Sequence, residues 1–338
     1  MTTPNTVRDL LTGMPSADET ARTAVALRAD SVLRPAGALA ALDNVAVWLA
    51  GWQRTAKPNV ERPAVVVFVG EHGVCEEGVS AYPSEVTAAM DAALRAGVAT
   101  AAVMAKALGA TLEVVDVGVG KPTANFVSQP AMSVARFSDS FDAGSSCVRR
   151  LAAAGADILV IGEMGIGNTT AAAAVAATLC GGQVTDWVGI GTGIDDAGVA
   201  RKRDVVERAR ERAMLDNAGA NPFEVLRQVG GTELVAMCGA VIQARLLSLP
   251  VVLDGYVVTA AIAPVEFAIP GALDHVIAGH RSFEPGHGRL LERLGKTPLI
   301  DLGLRLGEAS GALVALPIIS LAAKCVVDVA TFAEFGLV

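Results

Sequence analysis

Aromatic residues are scarce in this 338-residue chain, in which Phe, Tyr and Trp together account for only 4%. Charged residues are also sparse at 18%, whereas hydrophobic residues make up 52% of the sequence. The hydrophobic content is therefore mostly Ala, Val and Leu, which suits closely packed helices and strands around a large core. The net charge is −8 and no run of Lys and Arg occurs, which excludes nucleic-acid binding by bulk electrostatic attraction.

Cysteine and histidine are too few and too scattered to form a familiar disulfide or metal pattern. The five cysteines are odd in number, and the sequence contains no C-x-x-C motif. They are Cys75, Cys147, Cys180, Cys238 and Cys325. We therefore expect reduced thiols in a cytoplasmic protein. The spacing of His275, His280 and His287 matches no metal-binding motif, so we predict no metal site.

Long apolar runs are missing as well, although the mean hydropathy is high at +0.47. The longest uncharged run, over residues 164–185, is rich in Gly, Thr, Ala and Asn. The uncharged run over 309–323 is shorter than the ~20 predominantly apolar residues that a transmembrane helix needs. Residues 1–20 contain no apolar signal core, so we expect neither a membrane span nor a secretory peptide.

A repeating unit is present from residue 60 onward, in which an apolar run ends in a glycine-rich turn and a helical pattern follows. The apolar runs PAVVVFV, TLEVVDV, DILVIG and LPVVLD show no alternation, which is typical of strands buried on both faces. Strands that alternate with helices predict an α/β fold in which a parallel sheet is flanked by helices, a Rossmann-like arrangement of three layers.

The two ends of the chain have a helical pattern without intervening strands. Helical segments are predicted within residues 1–58 and again over 310–338. We expect these two ends to associate as a smaller helical domain, beside a large α/β domain that spans residues 59–309.

The strongest functional signal is the loop GEMGIGNTT, residues 162–170, which follows a predicted strand and opens a predicted helix. Gly165 and Gly167 let the backbone approach a ligand closely, because no Cβ intervenes. Free N–H groups and the helix dipole then favour a phosphate at this helix start. The loop matches neither the Walker A motif nor G-x-G-x-x-G, and a simple tight turn before a helix remains the alternative.

Three further polar segments each have two interpretations. The loop over 189–196 is either a second wall of a phosphate or ribose site or a turn before a charged helix. The loop over 70–87 is either a wall of a pocket for an aromatic ring or a surface loop before a helix. The cluster over 280–287, which contains two histidines, Arg281, Ser282 and Glu284, either serves a site or is solvated.

Glu308 lies alone between glycines and a long apolar run, in the sequence DLGLRLGEASGALVALPII. A carboxylate in this position is either a surface residue at a helix start or a reactive group in a dry pocket. Composition alone does not choose between the two.

Several motifs occur together in an order that resembles one known family. They are LRPAGALAALD, GVSAYPSEVTAAM, GEMGIGNTT, GTGIDDAGVARKR, LDGYVVTAA, GHRSFEPGH and DLGLRLGEASGA. Over roughly residues 31–330, this ordered set resembles the nicotinate-nucleotide–dimethylbenzimidazole phosphoribosyltransferases, which activate the lower ligand of cobalamin. Each motif is a modest signal alone, whereas the ordered set is highly specific.

The resemblance implies a reaction and its partners. Nicotinate mononucleotide gives its 5-phosphoribosyl group to 5,6-dimethylbenzimidazole, which releases nicotinate and forms α-ribazole 5′-phosphate. It also implies a homodimer that acts on small molecules and needs no metal or redox cofactor. The catalytic base of the family corresponds to Glu308 in the RLGE motif of this chain.

The resemblance also assigns two groups of binding residues. The phosphoribosyl and nicotinate side comprises Glu163, Gly165, Gly167, Asn168, Thr169, Gly191, Thr192, Gly193 and Lys202. The base pocket comprises Ser80, Tyr82, Ser84, Ser282 and Leu306.

This chain departs from the family near the expected base pocket. A glutamine often follows the SAYP motif in the family, whereas this chain has Ser84. The shorter side chain leaves open a different azole, a purine or a phenolic acceptor. A protein that binds a mononucleotide without turnover is a further alternative, and a nicotinamide-dependent dehydrogenase is disfavoured because G-x-G-x-x-G is missing.

Overall fold

A computed structural model describes residues 1–216 and 218–337 of the chain. Asn217, in the predicted large domain, and Val338, in the predicted small domain, lie outside the described residues. The described chain forms a parallel sheet with strand order β2-β1-β3-β4-β5-β6. The strands are β1 (Pro63–Val69), β2 (Thr111–Asp116), β3 (Ile158–Met164), β4 (Val251–Leu253), β5 (Val276–His280) and β6 (Pro298–Ile300).

Helices flank this sheet on both faces. They are α1 (Val7–Leu10), α2 (Glu19–Ser31), α3 (Ala40–Gln53), α4 (Val86–Arg95), α5 (Thr100–Ala107), α6 (Val134–Ala153), α7 (Asn168–Cys180), α8 (Asp196–Leu215), α9 (Pro222–Val229), α10 (Thr232–Leu246), α11 (Tyr256–Ala268), α12 (Pro285–Arg293) and α13 (Ser310–Val327). The predicted Rossmann-like α/β fold with three layers is confirmed.

Strand β1 shows how the sheet joins two cores. All seven of its residues are buried, because it lies inside the sheet between β2 and β3. Val66 and Phe68 pack with α6, α7 and α10 on one face, whereas Val65 and Val67 pack with α13 on the other. Successive side chains of a strand point to opposite faces, so an unbroken apolar run is what this position requires.

The terminal helices also pack against each other. Ala21 and Val25 of α2, Ala46 and Ala50 of α3, and Val326 of α13 form a separate buried cluster. The first half of α13 nevertheless packs on the sheet, and α1 contributes to the large core. The proposed boundary between a small helical domain and the large domain therefore stays a prediction.

Within the described residues, two stretches are long and apolar enough, by length and composition, to cross a membrane. They are Val86–Ala107 and Ser310–Val327. The second is α13, whose apolar residues Leu313, Leu316 and Ile319 are buried in the core beside the sheet. Its packing therefore accounts for its hydropathy. The first is interrupted, since α4 ends at Arg95 and α5 begins at Thr100.

The strand order determines where a ligand fits best. From β1 the chain crosses first to β2 on one side and then to β3 on the other side. Ligands of open α/β sheets bind at the carboxyl edge of the sheet, so the segments that follow the strands at this edge are where a site is expected.

Candidate active site

A cavity lies at the carboxyl edge of the sheet, bordered by the segments that follow β3, β4, β5 and β6 and by the loop before α8. Its lining includes eight residues that the sequence assigned to a site: Glu163, Gly165, Asn168, Thr169, Gly191, Thr192, Ser282 and Leu306. Residues that are far apart in sequence thus meet at one place because four parallel strands end there.

The glycine-rich loop after β3 brings the backbone into close contact with its neighbours. Gly167 has a φ of +92° and immediately precedes α7, a backbone conformation that favours glycine. A Cβ added at Gly165 would lie 2.5 Å from the carbonyl oxygen of Gly70. Thr87 Oγ1 also accepts a hydrogen bond from the Ile166 amide at 3.1 Å. These contacts hold the N-terminus of α7 toward the cavity.

Glu163 is a buried carboxylate at the end of β3. It accepts a hydrogen bond from the side-chain amide of Asn168, in the first turn of α7. Burial raises the pKa of Glu163 well above its ordinary value, and the negative charges of Asp254, Glu233 and Glu308 add to this effect. The hydrogen bond from Asn168 acts in the opposite direction. The site therefore favours any ligand that brings positive charge next to Glu163.

Lys202 of α8 supports the cavity from behind and is only 1% exposed. Its Nζ donates hydrogen bonds to Thr169 Oγ1 at 2.8 Å and to the Gly189 carbonyl oxygen at 3.4 Å. Burial lowers the pKa of Lys202 to about 8, while the nearby carboxylate of Glu284 raises it. Glu284 Oε1 in turn accepts a hydrogen bond from the Gly191 amide at 2.8 Å. Lys202 thus links the two glycine-rich loops.

Glu308 lies in a left-handed turn before α13. Its φ is +59°, and the φ values of Gly307 and Ala309 are +85° and +67°. Such values are rare for residues other than glycine and cost of order 1 kcal/mol or more each. The amide of Glu308 donates to the carbonyl oxygen of Glu163 at 3.1 Å, which ties this turn to the end of β3.

The carboxyl group of Glu308 is buried, because the residue is only 2% exposed. Burial raises its pKa, and the negative charge of Asp254 raises it further, whereas a hydrogen bond from the backbone of Ala101 lowers it. Glu308 Oε2 has no hydrogen-bond partner among the residues that the structure describes. Of the two interpretations of Glu308, the structure supports the buried group.

The residues assigned to the base pocket fall in two places. Ser282 and Leu306 line the cavity together with Glu163. Ser80, Tyr82 and Ser84 lie outside this cavity, on the loop before α4. The Tyr82 side chain is largely accessible, with 51% of the residue exposed.

Four lining residues were not among the assigned binding residues: Tyr256, His280, Glu284 and Arg305. His280 and Glu284 belong to the polar cluster over 280–287, for which the sequence left a site and a solvated loop open. Tyr256 follows Asp254 and Gly255 directly after β4, and its hydroxyl donates to the Trp187 carbonyl oxygen at 2.9 Å. Each of these residues lies at the end of a strand or in the segment that follows it, so this position was the signal that could have identified them.

A glycine-rich helix start, a buried lysine and buried carboxylates at the carboxyl edge of a parallel sheet are features of α/β proteins that bind mononucleotides. Comparison with known proteins identifies the family. A family profile described as phosphoribosyltransferase matches residues 14–337. A nicotinate-nucleotide–dimethylbenzimidazole phosphoribosyltransferase of Jannaschia sp. (strain CCS1) is 47% identical, covering 100% of this chain and 99% of its relative. One of Roseobacter denitrificans is 45% identical, covering 98% and 96%.

Solved structures agree with these relatives. A crystal structure of CobT from Thermus thermophilus matches with a TM-score of 0.89 and 42% identity, covering 94% of this chain and 99% of that one. A second structure, titled as the nicotinate-nucleotide–dimethylbenzimidazole phosphoribosyltransferase of the same organism, has a TM-score of 0.88 and 41% identity, covering 95% and 99%. This chain belongs to the nicotinate-nucleotide–dimethylbenzimidazole phosphoribosyltransferase family.

Proposed function

We propose that this protein transfers the 5-phosphoribosyl group of nicotinate mononucleotide to 5,6-dimethylbenzimidazole, in the assembly of the cobalamin nucleotide loop. The products are α-ribazole 5′-phosphate and nicotinate. The observation that carries this proposal is the buried carboxyl group of Glu308, which follows directly on two residues that line the cavity, Leu306 and Gly307.

The phosphate of the donor binds at the start of α7 and at the neighbouring loop before α8. Gly165, Gly167 and Asn168 present the N-terminus of α7, where free N–H groups and the helix dipole attract an anion. Lys202 adds a positive charge behind Thr169, to which it is hydrogen-bonded. The loop residues Gly191, Thr192 and Gly193 form the adjoining wall.

Glu163 acts on the sugar and the leaving group. The pyridinium ring of the donor is positively charged, and positive charge spreads to the anomeric carbon as the bond to the ring nitrogen loosens. A carboxylate at Glu163 stabilises both charges. Because the pKa of Glu163 is raised in the protein alone, arrival of the positively charged pyridinium ring of the donor favours the ionised form of Glu163 and is coupled to loss of a proton.

Glu308 acts as the general base on the acceptor. One ring nitrogen of the benzimidazole attacks the anomeric carbon, and the bond between that carbon and the pyridinium nitrogen breaks. The N–H of the other ring nitrogen gives its proton to Glu308, while the electron pair of the broken bond neutralises the nicotinate ring. Attack from the face opposite the leaving group converts a β-linkage into an α-linkage. Positioning both rings at the ribose is the larger catalytic task.

The acceptor binds between Glu308 and the loop that carries Ser80, Tyr82 and Ser84, with Ser282 and Leu306 on the cavity side. Its N–H faces the carboxylate, and its ring contacts Tyr82 and Leu306, which both expose apolar surface. Because the side chain of Ser84 is short, the pocket leaves room for acceptors other than dimethylbenzimidazole. We therefore include other azoles, purines and phenols as candidate acceptors.

The test is to mix the protein with nicotinate mononucleotide and a panel of acceptors, and to search for new ribosyl phosphates by mass spectrometry. We expect α-ribazole phosphate with dimethylbenzimidazole. A larger yield with a purine or phenol would change the acceptor but keep the reaction. Tight binding of the mononucleotide without turnover for any acceptor would instead favour a binding protein.

The pH dependence of donor binding tests the role of Lys202. Its pKa of about 8 means that the charge is present below this value and is lost as the pH rises through it. We expect kcat/KM for nicotinate mononucleotide to fall above pH 8, by about tenfold per pH unit if only the charged form is competent. In Lys202→Arg the charge persists, so this alkaline fall should disappear even if the maximal rate drops. If kcat/KM fell with the same apparent pKa in both proteins, the fall would be due to a group other than Lys202.

We further propose a cytoplasmic homodimer. The described structure contains five free cysteines, as expected for a reducing compartment. Val98 lies between α4 and α5 and is 71% exposed, and Val103 lies in α5 and is 55% exposed. Burial against a partner subunit would remove this apolar surface from water. Light scattering should give twice the 34.5 kDa chain mass, and the mass of one chain at assay concentration would contradict the dimer.

A further inference from the structure

Asp254 is fully buried directly after β4 and is not among the residues that line the cavity. Its Oδ1 accepts hydrogen bonds from the backbone amides of Gly311 at 2.8 Å and Ala312 at 3.1 Å. Both amides belong to the first turn of α13. Asp254 therefore caps a helix that begins more than fifty positions later in the chain.

This cap replaces one that the helix lacks locally. The residue before α13 is Ala309, which has no side-chain oxygen. The amide of Ser310 donates to the Gly307 carbonyl oxygen at 2.9 Å, and that of Leu313 donates to the Ala309 carbonyl oxygen at 2.9 Å. Only the two amides between them depend on Asp254. Leaving a buried donor unsatisfied costs about 1–3 kcal/mol, and a negative charge at a helix N-terminus is favourable in addition.

The carboxylate of Asp254 also contacts the neighbouring strand β5. His280, at the end of β5, places its Nε2 3.3 Å from Asp254 Oδ1 and also lines the cavity. A Cβ added at Gly311 would lie 2.2 Å from His280 Cδ2, and one at Gly279 would lie 2.8 Å from Ala312 Cα. The start of α13 is therefore pressed against β5, with Asp254 between them and little room to shift.

We propose that Asp254 is a positioning residue for phosphoribosyl transfer: by holding the first turn of α13, it keeps the left-handed turn that directs Glu308 at the acceptor. The inference rests on the proposed function of Glu308. Asp254 touches neither substrate, and it acts through the backbone of Gly311 and Ala312.

The charge of Asp254 gives this role a signature in the pH profile. The groups that act on Glu308 are the carboxyl groups of Glu163 and Asp254 and the backbone of Ala101 in α5. His280 of β5 lies against Asp254. Asp254 raises the pKa of Glu308, and a general base works only when ionised. Activity therefore falls as the pH drops through that pKa. Asp254 also raises the pKa of Glu163, so removing the negative charge lowers the pKa of both carboxyl groups, and the acid limb of the profile must move to lower pH.

Two variants separate the hydrogen bonds from the charge. Asp254→Asn keeps an oxygen that can accept from both amides but removes the charge, whereas Asp254→Ala removes both. Asp18→Asn is the matched control, because Asp18 caps α2 through the Ala21 amide at 3.0 Å and is not among the residues that line the cavity. The assay measures kcat, KM for both substrates and the pH profile of kcat, per folded protein.

We expect Asp254→Asn to shift the acid limb to lower pH, and Asp254→Ala to lose roughly 10²-fold in kcat because Glu308 is misplaced, with KM for the donor little changed. Asp18→Asn should leave the pH profile unchanged. Wild-type kcat in folded Asp254→Ala protein would overturn the inference, and so would an unshifted acid limb in Asp254→Asn if the alanine variant fails to fold. If the wild-type protein forms no product, the proposed function fails. If the wild-type protein forms product and the Asp254 variants have the same kcat and pH profile, this inference alone fails.

Discussion

Glu308→Gln is expected to lose roughly 10²–10⁴-fold in kcat, the usual contribution of a general base, while still binding both substrates. Glutamine has nearly the same shape, and the left-handed turn depends on the backbone and on the hydrogen bond between the Glu308 amide and the Glu163 carbonyl oxygen. The substitution therefore removes the proton acceptor without removing the turn. Steady-state kinetics with both substrates measure the loss, and isothermal titration measures acceptor binding.

A matched control is Glu266→Gln. Glu266 is a carboxylate that accepts hydrogen bonds from the amides of Gly271 at 2.7 Å and Leu273 at 3.1 Å. It is not among the residues that line the cavity. This variant should lose some stability and keep its kcat. Full activity of Glu308→Gln would remove Glu308 from the role of base, and equal losses in both variants would point to damage of the fold.

Gly162→Ala is expected to have the second large effect, because Gly162 lies where β3 and the turn of Glu308 touch. A Cβ at this position would lie 2.1 Å from the amide nitrogen of Ala309, and neither backbone has free space. The turn before α13 must move away from β3, which costs about 1–3 kcal/mol or more in stability. A displacement of ~1 Å at the base is enough for a roughly 10²-fold loss of rate. Thermal unfolding and kcat per folded protein measure the two effects.

Gly144→Ala separates strain in the core from strain at the site. A Cβ at Gly144 would lie 1.8 Å from the carbonyl oxygen of Ala236, where α6 packs against α10. This overlap is at least as severe, but its surroundings do not contribute to the cavity. We expect a lower melting temperature with unchanged kcat in the folded fraction. If Gly162→Ala behaved in the same way, the close packing of β3 would have no part in placing Glu308.

The fold was largely predictable because the central strands are unbroken apolar runs. The runs that became β1 and β3 are seven residues each, fully or almost fully buried, and their composition permits little else. The strands β5 and β6 were not predicted. β6 has only three residues, all partly exposed, and β5 ends in Gly279 and His280, which begin a site motif, so neither has a clear pattern of its own.

The site was predictable in part. The glycine loop at Gly165 was visible because glycine spacing before a helix is a local signal, and the resemblance supplied Glu308. The burial of Lys202 could not be predicted, because its helix is charged and amphipathic and the sequence fits a solvated lysine equally well. The contact between Asp254 and α13 joins distant parts of the chain. No local pattern encodes such a contact, because it arises only when β4 and α13 meet in the folded protein.

The most direct test of the central claim is the stoichiometry and anomeric configuration of the product formed from nicotinate mononucleotide and dimethylbenzimidazole. Nuclear magnetic resonance of the purified product and chromatography of released nicotinate give both values from one reaction. In-line attack assisted by Glu308 predicts equal amounts of nicotinate and of an α-linked ribosyl phosphate. A β-linked product, or nicotinate released with free ribose 5-phosphate instead of a ribosylated base, would contradict this account.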